Sequence, residues 1–98
     1  MSHSESLGER VAQCLSDSRD VLGGDAVKEA AHFLNHGEYE MAFEGLVLEL
    51  IAVGLAPSSF DANAWVSLGR ELGLEQESVL DGEFWQKFQT WKDRVAPT

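Results

Sequence analysis

From Glu38 to Gly54 the chain reads EYEMAFEGLVLELIAVG, a stretch that is apolar at helical spacing on two sides. Tyr39, Ala42, Phe43, Leu46, Leu50 and Val53 make one stripe, which Val47 and Ile51 widen. Met41, Leu48 and Ala52 make a smaller strip opposite it. A surface helix carries one apolar stripe; two stripes predict a helix packed on both sides. This helix, the third along the chain, is therefore expected at the centre of the fold. Its acids divide, with Glu40 and Glu44 one turn apart on one flank and Glu38 and Glu49 on the other.

The rest of the chain supplies partners for such a helix. Leu7, Val11, Cys14, Leu15, Ser18 and Leu22 follow helical spacing, with Ser4 or Ser6 as the cap and Gly23-Gly24 as the stop. Asp25 is a plausible N-cap for a second helix bearing Val27, Ala30, Ala31 and Leu34, which ends at Asn35-His36-Gly37. Pro57 breaks the third helix from the fourth, which Ser58, Ser59 or Asp61 can cap. Ala64, Trp65, Leu68 and Leu72 give the fourth helix its face, and Leu72-Gly73-Leu74 ends it. Residues 75–80 are ambiguous. Asp81 is expected to cap a last helix with Phe84, Phe88, Trp91 and Val95 on one side. No strand-like alternation persists. The expected fold is all-α, a compact bundle of four to five helices around the third.

The chain has 98 residues, which predicts one domain with a single core and no room for a large cleft. No apolar run reaches the roughly 20 residues a membrane span needs. MSHSESLGER lacks the basic start and apolar stretch of a secretory signal, and the single cysteine suits a reducing cytoplasm. Seventeen acids against seven Lys and Arg give a formal net charge of −10. That argues against nucleic acid and anionic membranes as direct partners, because cations make those contacts.

Side chains that carry chemistry are present, but not in catalytic patterns. His32 and His36 share a helix face, yet His-Phe-Leu-Asn-His lacks the central Glu of a zinc-protease motif and a third ligand. Cys14 has no base near it in sequence and reads as a small core residue. Glu40 and Glu44 are expected on a convex helical surface, not in a concave site that would separate their pKa values. No glycine-rich phosphate loop is present. Catalysis, a bound metal and a cofactor are therefore not expected.

Charge layout is more informative. No Lys or Arg stands between Lys28 and Arg70, while that span holds Glu29, Glu38, Glu40, Glu44, Glu49 and Asp61. The bases gather near the ends, as Arg10 and Arg19, then Lys87, Lys92 and Arg94. A negative field over the third helix and the following loop would hasten capture of a basic partner. Glu38, Glu40, Glu44, Glu49 and Asp61 are the candidate contacts. Trp85, which falls off the apolar stripe of the last helix, is the sixth, since exposed Trp is enriched at binding hot spots.

Phe33-Leu-Asn-His-Gly-Glu-Tyr-Glu-Met-Ala-Phe-Glu, continuing to Leu50, and the later Leu68 to Leu74 segment resemble small helical bacterial immunity proteins of the MafI type. Gly37, Glu38, Tyr39, Ala42 and Glu44 carry the first part of the resemblance, and Leu68, Leu72, Gly73 and Leu74 the second. It spans roughly residues 27–74 and leaves out the first helix and the Trp-rich last one. The resemblance implies an antidote that binds a toxin domain, often a nuclease, inside the producing cell. A nuclease is generally basic around its groove, so an acidic helical face suits it. The alternative is a helical adaptor, with Met41, Leu48 and Ala52 as the seam of a homodimer.

Overall fold

The computed structural model describes residues 6–95, so the suggested cap Ser4 and the histidine His3 lie outside the described residues. Among the described residues five helices follow one another: α1 (Leu7–Ser18), α2 (Gly24–Asn35), α3 (Tyr39–Val53), α4 (Ala62–Glu71) and α5 (Phe84–Val95). No strand occurs among the described residues. The fold is all-α, as the periodicity predicts.

Local chemistry sets the helix ends. Ser6 and Glu9 form a reciprocal capping box on α1: the Ser6 hydroxyl accepts the Glu9 N–H at 3.1 Å, and the Glu9 carboxylate accepts the Ser6 N–H at 2.9 Å. α1 stops at Ser18, and residues 19–22 form a turn before the glycines are reached. Asp25 does not cap α2. The capping position is Gly23, and Asp25 sits in the first turn, where a negative charge still complements the helix dipole. Asp61 does cap α4, accepting the Ala64 N–H at 3.2 Å. Asp81 lies ahead of α5, and its carboxylate accepts the Glu83 N–H at 2.8 Å.

α2, α3 and α4 close with one device. Gly37, Gly54 and Gly73 all have φ between 73° and 81°, a left-handed conformation that costs a residue without Cβ nothing. After each glycine the next amide reaches back to the last turn: Glu38 to Phe33, Leu55 to Leu50 and Leu74 to Gly69. This is the Schellman arrangement, which satisfies carbonyls that the helix end would leave bare.

α3 packs against α1, α2 and α5, and α1 also meets α2 and α4. That centrality is why α3 is apolar almost all round. Ala42, Phe43, Leu46, Val47 and Leu50 are buried on it, while Val53, an expected stripe member, is half exposed just before the closing glycine. In the opposite strip, Met41 and Leu48 are partly covered and Ala52 is exposed. α5 delivers Phe84, Phe88 and Trp91 to the core; Phe43 meets Phe88 edge-on at 5.9 Å, and Trp91 lies beside Phe60 and Trp65. The one polar side chain on the α1 stripe is self-satisfied, since the buried Ser18 hydroxyl donates to the Cys14 carbonyl at 2.8 Å.

Candidate partner-binding surface

The surface is organised by a side chain that does not reach it. Glu44 has 0 % exposure, in contrast to the convex, solvated position expected from its spacing to Glu40. Its carboxylate accepts three consecutive backbone N–H groups from the segment between α4 and α5: Val79 at 2.7 Å, Leu80 at 3.0 Å and Asp81 at 2.7 Å. Bonds from amides to an ionised acceptor are among the stronger ones, and three of them offset the cost of taking a carboxylate out of water. Glu44 is thus corrected from a contact residue to the post that holds a strap, residues 77–83, across α3. Leu80 lies over α3 beside Gly45, where a Cβ would be 3.6 Å from the Leu80 Cδ1.

The other predicted residues remain at the surface but do not form one cluster. Glu38 and Glu49 are exposed on one flank of α3, about three turns apart, and Glu40 is exposed on the other. Asp61 is exposed, with one oxygen engaged in its cap. Trp85 is partly buried: it covers Gly69 on α4, and its ring meets Phe88 edge-on at 5.3 Å.

Ion pairing sorts the acids into two groups. Arg10 pairs with Glu71 at 2.7 Å, Arg70 with Glu75 at 3.2 Å, Lys87 with Asp81 at 2.7 Å and Lys92 with Asp93 at 2.9 Å. Four of the seven bases are therefore held by acids late in the chain. Among the described residues, Glu29, Glu38, Glu40, Glu49 and Asp61 have no such partner, and neither do Glu77 and Glu83 on the strap. Their charge faces solvent; that of Glu83 also acts on Lys87, the base paired with Asp81.

Two residues of the strap stand out against this charge. Val79 is 53 % and Leu80 47 % exposed, so an aliphatic pair sits between acids. Spacing arguments could not find them, because residues 75–80 follow no helical or strand period. The local text, Glu-Ser-Val-Leu-Asp-Gly-Glu, does place two large aliphatics in a turn-forming, acidic setting, which is a signal in itself.

Groups with chemical potential are occupied elsewhere. The Cys14 thiol borders a shallow depression of about 190 Å³ with Arg10, Asp17 and Trp65. Burial, reinforced by the Asp17 charge and only partly opposed by Arg10, pushes it up to about 12, so it stays a thiol near neutrality. His36 donates through Nδ1 to the His32 carbonyl at 2.8 Å, closing the last turn of α2. Among the described residues, no group of three His, Cys, Asp or Glu is placed to hold a metal ion. No helix there is long and apolar enough to cross a membrane. No family model matches the chain, and neither does any curated protein or solved structure.

Proposed function

We propose that this chain is an antidote of the immunity-protein kind, which neutralises a basic toxin domain by occupying it rather than by turning over a substrate. One observation carries the reading: Glu29, Glu38, Glu40, Glu49 and Asp61 are exposed, and none is neutralised by an ion pair among the described residues. Like charges left unpaired on the surface oppose the compact state slightly, and a basic partner would offset that repulsion. The natural target is a cationic surface such as the groove of a nuclease domain, met in the cytoplasm of the producing cell. Its bases would be covered and its substrate excluded.

The test is co-purification with the product of the neighbouring gene, followed by association kinetics at rising salt. The expected result is a one-to-one complex with a basic, growth-arresting domain, whose association rate falls with salt and with Glu38→Lys, Glu40→Lys and Glu49→Lys combined. A neighbour that is harmless when expressed alone and does not co-purify would sink the antidote reading.

A further inference from the structure

The strap spends more on order than a connection between two helices needs. Backbone N–H groups of an exposed turn are satisfied by water without cost, yet three successive ones here are turned inward to a carboxylate with no solvent exposure. Burying that carboxylate is favourable only because the three donors are in place. The far end is pinned as well, since Asp81 accepts from Glu83 N–H at 2.8 Å and from Lys87 Nζ at 2.7 Å. With its amides fixed inward, the strap holds the Val79 and Leu80 side chains half exposed. Exposed aliphatics on a rigid support lose little entropy on docking, so preorganisation lets a small contact contribute more than its area suggests.

Charge says what kind of partner would dock. Glu77 and Glu83 flank the aliphatic pair in sequence, both exposed and both without an ion pair among the described residues, with Glu83 also acting on Lys87 across the turn. A neutral apolar partner would have to strip water from both carboxylates for no return. A recess rimmed by Lys or Arg would repay it.

We propose that Val79 and Leu80 are the anchor that enters an apolar recess on a cationic protein partner, with Glu77 and Glu83 meeting the bases at its rim. This rests on the reading above that the partner is basic, and it moves the energetic centre of the contact from α3 to the strap. Glu44 acts here as a positioning residue and touches no partner.

The experiment pans a random peptide library against the immobilised full chain and retests the enriched peptides against Val79→Ser with Leu80→Ser, and separately Glu77→Lys with Glu83→Lys. Enrichment of peptides that combine Lys or Arg with large apolar residues is expected. Both double variants should weaken them by roughly tenfold or more. The charge-reversed pair serves as the independent readout if the Ser pair unfolds. No enrichment, or peptides indifferent to both variants, overturns the anchor. So does a wild-type dimer that the Ser pair converts to monomer, because the patch is then a contact between copies. The neighbouring gene product separates the two readings. If it is captured equally by wild type and Ser pair, the antidote stands and the anchor falls. If cationic peptides bind the strap while no basic neighbour is captured, the anchor stands and the antidote falls.

Discussion

Trp85 covers Gly69 so closely that a Cβ placed on the glycine would lie 2.9 Å from the indole Cζ3 and 3.4 Å from the Phe43 Cε2. Glycine inside a helix ordinarily costs about 1 kcal/mol against alanine. Here the ring contact is expected to outweigh that, because the Trp85 ring also packs against Phe84 at 6.4 Å and Phe88 at 5.3 Å, contacts it would give up by moving aside. Gly69→Ala is expected to destabilise by about 1 kcal/mol net, lowering Tm by about 4–8 °C. In a Trp85→Leu background the same substitution should become neutral or stabilising. Additivity of the two changes in thermal melts would show that the contact is not the reason for the glycine.

Removing the post should cost more than removing any acid at the surface. Glu44→Ala leaves three strap amides without their acceptor and is expected to lose about 3 kcal/mol or more in urea unfolding. Glu44→Gln keeps the volume and one acceptor oxygen, so about half that loss is expected. Hydrogen exchange at the amides of Val79, Leu80 and Asp81 should accelerate in both variants, and far more than exchange at the α1 core. Unchanged protection there would mean that the strap is held by something else.

Cys14 should resist labelling. Its folded pKa of about 12 lies above the roughly 8.5 of a free thiol, so the folded state binds the thiol proton more tightly. That contribution is complete below pH of about 8.5 and is lost as pH rises through about 12. An aromatic disulfide reagent at mildly alkaline pH should therefore react only at the rate of opening. Cys14→Ala should flatten the alkaline limb of stability against pH. Immediate stoichiometric labelling of the native protein would contradict the burial.

The acid limb has the opposite sign. The backbone and hydroxyl of Ser6 hold the Glu9 carboxyl below its usual value; the Lys87 ammonium and then the Glu83 amide do the same for Asp81. A lowered carboxylate stabilises above its unfolded pKa and loses that contribution as pH falls through the folded one. Lys87 is raised by the same pair and therefore adds to the alkaline loss instead. Glu9→Gln keeps a side chain able to complete the capping box and should make the acid limb shallower. An identical acid limb in that variant would remove Glu9 from the account.

Salt should act in opposite directions on the free protein and on the complex proposed for it. Screening relieves repulsion among the unpaired acids of a chain with net charge −10, so Tm should rise with sodium chloride. The same screening should slow association with a basic partner. A Tm that falls with salt would place the four surface ion pairs above the repulsion in importance.

The fold was legible because its determinants are local. The α1 stripe, the three closing glycines and the aromatic face of α5 each declare themselves within a few turns of sequence. Even the centrality of α3 follows from its two apolar sides. Glu44 was misread because its environment is made by residues 35 to 37 positions later, which no periodicity reaches. A clue was present: Met41, Val47 and Leu48, all within one turn of it, are apolar, so an acid there had poor company for a solvated face. The anchor pair was illegible for a related reason, since Val79 and Leu80 belong to no element and gain their orientation from a distant carboxylate. Asp25 shows a smaller failure, where a good capping residue lost to a register set by the turn before it.

Glu44 also ties together two stretches of chain that lie far apart in sequence. A carboxylate on α3 with no solvent exposure is satisfied only when the amides of Val79, Leu80 and Asp81 are in place. The strap and the central helix are therefore expected to gain and lose their order as one cooperative unit.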